Sequence, residues 1–488
     1  MVNQPSRRLP SISKWPDGIF LLLFFLYALA AGLLVQLVLL PYVFPAWNNG
    51  EGMLRGLDSK RFHLLAVQQA QKISAEGWQV WTLAPEGQPV SGIASAFYAA
   101  FTPHPWVLLP LNAFLHAMAA LVLYKILGFF LEKRSHAVLA ALPFLLFPTA
   151  LSWVTQMHND NYTVTGGVLM MYGWVCFARQ ETWQNRWVIF GGVLAFVVGG
   201  GLIWLVRDYV IYLLAGVGGI LLTFLVLVFL GSLLRSRWSW RKSISATGIV
   251  SLAFITVASL QKVKIPDDWP MVAKGYRQYP PGLLTDSATT QPADQKTINQ
   301  SSKIIWHESR WLPHWVDRQM ESLSMKRTRV IKAWTRLKGG PNGSNIDDDV
   351  TFQSAVDIVH YLPRAAQIGF LSPFPSVWFG LSNKAPNTMM RRVSGFEMSY
   401  VYLCWPGLLY ALWTWRKHPE IWAGILFCTG MVIINALGTP NVGTLVRFRY
   451  PYFMPMVGLG TAGWMVFIRD LSNRAKNRLK ASPPLSGD

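Results

Sequence analysis

The feature that most constrains this chain is the recurrence of apolar runs about as long as a bilayer is thick. A hydrocarbon core of ~30 Å needs about 20 residues of helix. Runs of that kind fall at 18–44, 105–131, 136–155, 162–178, 187–205, 209–231, 244–262, 396–414, 421–438 and 451–468. Backbone polar groups inside a bilayer must be satisfied within the segment, so such runs are expected to be helices. The expectation is an all-α polytopic membrane protein with about ten transmembrane helices. The first run is too long for a signal-peptide core and lacks a small-residue cleavage site, so it should be retained as a helix. The shorter apolar segment 93–102 is expected along the membrane interface.

Composition agrees. Charged residues make up 14% of the 488, against roughly 25% in soluble proteins. The 23 Trp, 27 Phe and 16 Tyr residues suit a protein with two interfaces to anchor. Cys176, Cys404 and Cys428 all lie in apolar runs and read as small buried hydrophobes, with no disulfide framework and no CxxC pair. The net charge of +20 raises nucleic acid as a partner. However, the basic residues sit mainly at the ends of apolar runs, and no zinc-finger or RNP spacing is present. Positive-inside topology and affinity for anionic membrane lipids account for the charge, and no nucleic-acid partner is expected.

The basic junctions alternate. Arg7, Arg8 and Lys14 precede the first run; Lys133 and Arg134 follow the second, and Arg179 and Arg186 the fourth. Arg235, Arg237, Arg241 and Lys242 follow the sixth, Arg416 and Lys417 the eighth, and a cluster from Arg469 to Lys480 the last. Every second junction being basic puts both termini in the cytoplasm. The opposite face then receives 45–92, 156–161, 206–208, 263–395 and 439–450. Three units follow: an N-terminal transmembrane module 1–262 with its first external loop 45–92, an external subdomain 263–395, and C-terminal helices with a tail, 396–488. The subdomain opens with the Pro-rich stretch Pro266 to Pro292. Helical patterning follows near 303–338, then a turn at Gly339–Asn345, and a return to the membrane surface over 356–380.

Candidate chemistry gathers on that external face. Asp58 stands in Gly56-Leu57-Asp58-Ser59, just before a helical pattern that aligns Phe62, Leu65 and Ala66. Its two readings are a helix N-cap and a reacting carboxylate. Between the third and fourth runs lies Gln156-Met157-His158-Asn159-Asp160-Asn161-Tyr162. Polar residues at this depth are costly and point to function, although Asn and Asp also favour tight turns. His158 and Asp160 suit holding a divalent cation or orienting one bound to phosphate. Asp58 and Asp160 are the candidate metal carboxylates, with Mg or Mn as the ion. Arg207, Arg447 and Arg449 run against the charge rule for their side. An arginine fork suits phosphate oxygens, and alternate spacing would place Arg447 and Arg449 on one side of an extended segment. Snorkelling to lipid headgroups is the alternative reading. Walker, GxGxxG, HExxH and GxSxG motifs are absent. Asn161, Asn299 and Asn342 head sequon matches.

Taken together these features resemble the GT-C class of membrane glycosyltransferases, which includes protein O-mannosyltransferases and bacterial aminoarabinose transferases. The segment from Gly56 to Ala66 is similar to that class's first-loop motif, with Asp58 at the acidic position. His158-Asn159-Asp160 falls where several members carry an acidic-x-acidic motif, with His158 in place of the first acid. Asn345-Ile346-Asp347, Tyr361-Leu362-Pro363-Arg364, Ser372-Pro373-Phe374-Pro375 and Arg447-Phe448-Arg449-Tyr450-Pro451 are similar to segments of bacterial polysaccharide-assembly relatives. The resemblance implies an inverting transferase in a bacterial inner membrane. Its donor would be a polyprenyl-phosphate- or diphosphate-linked sugar, and its acceptor a glycan, lipid or protein. Arg207, Arg447 and Arg449, with His158 and Asp160, would receive the phosphate, and Asp58 would serve the acceptor hydroxyl. The alternatives are a polymerase or ligase for diphosphate-linked glycans, a lipid-linked-sugar transporter or flippase, and a membrane scaffold.

Overall fold

A computed structural model describes residues 15–55, 58–263, 305–337, 344–381 and 385–481. The stretch Pro266–Pro292, most of the Gly339–Asn345 turn, Arg7, Arg8, Lys14, Asn299 and Asn342 lie outside the described residues. Within them the protein is helical, and its only extended pairings are isolated bridges.

The elements run α1 (Asp17–Leu34), continued by a π-helical segment Val35–Val43, then α2 (Ser59–Glu76), α3 (Pro89–Ala100), α4 (Leu109–Gly128), α5 (Arg134–Leu146), α6 (Pro148–Val154) and α7 (Asp160–Ala178). They continue as α8 (Arg186–Arg207), α9 (Val210–Leu234), α10 (Trp240–Ser259), α11 (His314–Leu337), α12 (Ala355–Leu371), α13 (Pro375–Trp378), α14 (Ala385–Trp415), α15 (Pro419–Gly438) and α16 (Val442–Ala481). Among the described residues seven helices are long and apolar enough to cross a membrane, and α5 with α6, bent by 64° at Phe147, makes an eighth if the pair is one span. The protein is therefore a polytopic membrane protein. Its outward residues include Leu227, Leu252 and Leu409, each about two-thirds exposed, as expected of helices that face acyl chains.

Packing at the centre is close. α7 is buried on nearly every side. A Cβ placed on Gly166 would lie 2.5 Å from the carbonyl oxygen of Gly199, and one on Gly199 equally close to that of Gly166. Only glycine lets α7 and α8 touch backbone to backbone, the small-residue contact that associates helices where no hydrophobic force drives them. Glu397 of α14, buried among apolar groups, accepts the amide of Thr149 at 2.7 Å, so the break before α6 leaves that donor satisfied.

Outside the spans, α2 and α3 pack together on a small core with Phe62, Ala66, Tyr98, Met157 and Val206. Of the expected interfacial segment 93–102, residues 93–100 belong to α3 and the last two follow it. α12 begins with a reciprocal cap, Ser354 Oγ accepting from Asp357 N and Asp357 Oδ2 from Ser354 N. α11 is fastened by Arg327, buried to 1% exposure, which donates to the carbonyls of Asp347, Val350 and Leu437 at 2.7, 3.2 and 3.1 Å. Leu437 belongs to α15, so this helix is tied to the spans. Cys176, Cys404 and Cys428 are buried and unbridged.

Candidate active site

The turn between α6 and α7 is sewn to the first loop. Asn112 of α4 donates to the carbonyl of Gln156 at 2.9 Å, Leu54 N to Gln156 Oε1 at 3.0 Å, and Gln156 Nε2 to Gly52 O at 3.1 Å. This sets Asp160 at the first position of α7, where a carboxylate is favoured by the positive end of the helix.

Four of the residues singled out in the sequence meet here. Asp160 is fully buried; Arg207 Nη2 lies 2.5 Å from its Oδ1 and Arg447 Nε 2.8 Å from its Oδ2. His158 Nδ1 is 2.7 Å from Oδ2, and Arg447 Nη2 is 2.9 Å from His158 Nε2 and 3.2 Å from its Nδ1. A neutral ring with its proton on Nδ1 donates to Asp160, while the Arg447 guanidinium lies against the ring within reach of both nitrogens. Burial lowers the pKa of His158 and so favours that neutral ring; Asp160 pulls in the opposite direction.

Asp58 stands at the mouth of the cluster. It is exposed, and its carbonyl accepts Phe62 N at 3.1 Å, but its side chain makes no capping bond. The capping alternative is thus not realised. Phe62, one turn further on, meets the His158 ring edge-on at 6.1 Å, and the Asp58 carboxylate is near enough to favour a proton on His158.

A residue the sequence did not single out joins them. Lys326 of α11 lies 3.7 Å from the centre of the Tyr209 ring. Burial, reinforced by Arg207, brings its pKa down to about 8, while Asp208 opposes the shift. Arg207 and Arg447 therefore gather about one buried carboxylate with Lys326 beside Arg207, and Asp58 and Asp208 are both exposed. Positive charge is in excess inside the site, and its negative complement lies at the rim. In the sequence Lys326 is one of several cations on its helix, among them Arg327, Arg329 and Lys332, and nothing there marks it out from the others.

Two expectations need correction. Arg449 does not join Arg447. The segment is not extended but lies within α16, where residues two apart point about 200° apart. Arg449 is instead buried at the last turn of α12, donating to the carbonyls of Gly369 and Ser372 with its guanidinium 4.2 Å from the centre of the Phe453 ring. It serves the carbonyl end of a helix rather than a phosphate. The divalent-cation reading also fails to fit. Both Asp160 oxygens are taken by Arg207, Arg447 and His158, and Asp58 is exposed at the rim. No group of three His, Cys, Asp or Glu side chains that could hold Mg or Mn occurs among the described residues.

Asp347, Tyr361 and Arg364 form a clasp that holds the chain before α12 and α16. Asp347 accepts from Arg364 through both oxygens at 2.9 Å and from Tyr361 Oη at 2.7 Å. Ile346 N donates to Pro440 O at 2.9 Å, which fixes the chain just before α16. No family model matches the chain, and no curated protein or solved structure matches it either.

Proposed function

We propose that this protein is a membrane glycosyltransferase that moves a sugar from a polyprenyl-phosphate or -diphosphate donor to an acceptor hydroxyl at the extracytoplasmic face. The observation that carries the reading is the position of Asp58, a carboxylate with no capping bond beside a buried cluster in which Arg207 and Arg447 outnumber Asp160, with the half-buried Lys326 next to Arg207. Such a site suits an anion held at headgroup depth with its reacting end toward water.

The ten-span topology is part of the proposal. The eight spans counted above are joined by α7, of 19 residues, and α14, of 31. Ten spans would put both termini on one side, and in this proposal the alternating basic junctions assign that side to the cytoplasm and the Asp160 end to the outside.

In the proposed step the acceptor oxygen attacks the anomeric carbon from the face opposite the phosphate. The new C–O bond forms as the bond to the phosphate oxygen breaks, which inverts the centre. The bonding pair leaves with the phosphate, where Arg447 and Arg207 stabilise the charge that develops, while Lys326 attracts the anionic donor equally in the ground and transition states. The hydroxyl proton passes to Asp58.

The test is transfer in proteoliposomes loaded with a labelled polyprenyl-phosphate sugar and candidate acceptors. Asp58→Asn should reduce turnover ~10²- to 10⁴-fold while the protein still inserts and melts as before. Normal turnover by that variant would remove Asp58 from the chemistry. Products carrying strings of repeat units would indicate a polymerase or ligase, and accumulation without covalent change a transporter.

A further inference from the structure

The end of the bundle opposite Asp160 holds a crevice of about 720 Å³ between the last turn of α9, the turn after α7 and the start of α15. Arg179, Arg235, Arg237, Arg416 and Lys417 line it, against the carboxylates of Glu181 and Glu420. Glu181 is paired with Arg179, and Glu420 with His418 at 3.2 Å, so both acids are already engaged. Arg416 donates to Trp413 O at 2.6 Å and stacks over that ring. Arg235, Arg237 and Lys417 have no ion-pair partner among the described residues.

The backbone holds two of these cations in place. Ser236 adopts a left-handed conformation at φ 54°, which turns the chain back on α9. The amides of Arg237 and Trp238 then both reach the carbonyl of Ser232, at 3.0 and 3.3 Å. Trp238 stacks on Phe229 with ring centres 5.5 Å apart. Arg235 and Arg237 are thus fixed on either side of a closed turn. The carbonyl end of α9 and the amide end of α15 meet here with opposite partial charges, which leaves the side chains to decide the sign of the site.

The remaining wall is apolar. Phe224, Leu227 and Val228 on α9 line the crevice, and Leu227, at 63% exposure, faces the surroundings of the bundle. A cationic floor joined to an acyl-facing wall matches an amphiphile with a negatively charged head. We infer that this crevice binds one anionic phospholipid, its phosphate on Arg235, Arg237 and Lys417 and its acyl chains along α9. The inference is independent of the chemistry proposed for the other end.

The test uses the full-length protein in neutral detergent with short-chain phosphatidylglycerol, short-chain phosphatidylcholine and inorganic phosphate as separate probes. Binding is read by native mass spectrometry and by the rise in melting temperature. Phosphatidylglycerol should bind and stabilise. Arg235→Gln with Arg237→Gln should weaken binding about tenfold or more, at ~1 kcal/mol for each cation. The matching double lysine variant should hold the lipid within about threefold, which separates loss of charge from loss of fold. Equal binding of phosphatidylcholine, equal stabilisation by inorganic phosphate, or unchanged affinity in the double glutamine variant would each overturn the assignment.

Discussion

Arg447 and Asp160, 287 residues apart in the chain, are joined by a 2.8 Å hydrogen bond that ties the second turn of α16 to the first turn of α7. Through the same carboxylate α8 is held by Arg207, so three helices share one buried anion.

Replacing that anion should be costly. Asp160→Asn leaves Arg207 and Arg447 facing each other with no compensating charge, and removing one member of a buried pair costs roughly 3–5 kcal/mol. The variant should melt well below the parent protein or fail to accumulate. Asp160→Asn combined with Arg447→Gln should recover part of the loss. If the single variant melts with the parent, the cluster is not what holds these helices together.

Lys326 gives the site an alkaline limb. Below about pH 8 its ammonium is charged beside Arg207; as pH rises through 8 the charge is lost. Affinity for an anionic donor should therefore fall across pH 7.5–8.5, seen as a rising KM with little change in kcat. Lys326→Gln should start with the raised KM and lose the pH dependence. A KM that climbs equally in both proteins would place the titration elsewhere.

His158 gives an acid limb in stability. Burial holds its folded pKa below the ordinary value of about 6.5. The unfolded chain therefore binds more protons than the folded one between those values, and stability rises with pH there. The stabilisation is complete above pH 6.5 and declines as pH falls from that point. His63, buried with its Nδ1 2.9 Å from Tyr98 Oη, is shifted the same way and adds to the slope. Melting temperature against pH should show a shallower acid decline in His158→Gln than in the parent. Superimposable curves would rule out His158 as a contributor.

Arg327→Gln removes donors from the carbonyls of Asp347, Val350 and Leu437, of which a glutamine amide can serve only part. Each buried group left unpaired costs about 1–3 kcal/mol. Hydrogen exchange should speed up across α11 and 344–352 while α7 and α8 stay protected. Faster exchange throughout the bundle would mean that α11 is not a separately fastened unit.

The spans were legible because bilayer thickness writes itself into the length of apolar runs. The runs at 18–44, 105–131, 187–205, 209–231, 244–262, 421–438 and 451–468 all fall on membrane-length helices. The polar turn at His158–Asp160 and the out-of-place Arg207 and Arg447 were legible because charge at that depth needs a reason, and the structure brings them within hydrogen-bonding distance. Alternate spacing puts Arg447 and Arg449 on one side only of an extended chain, whereas α16 continues through Pro451 and Pro455 and turns them apart. Lys326 is not legible in the sequence, because nothing local marks which face of an amphipathic helix will meet Tyr209. Glu397, inside an apolar run, is explained by a donor on a distant helix, which no spacing in the sequence shows.

The contact between Gly166 and Gly199 makes α7 and α8 a gauge of fixed setting. Backbone touching backbone leaves no side chain there whose length could reset the gap between Asp160 and Arg207, which stand on those two helices. A donor with a shorter or longer anionic head must then be accommodated from the other walls, by Arg447 on α16 or Lys326 on α11. Variation in specificity should accordingly collect on α11 and α16, and the α7–α8 pair should resist it.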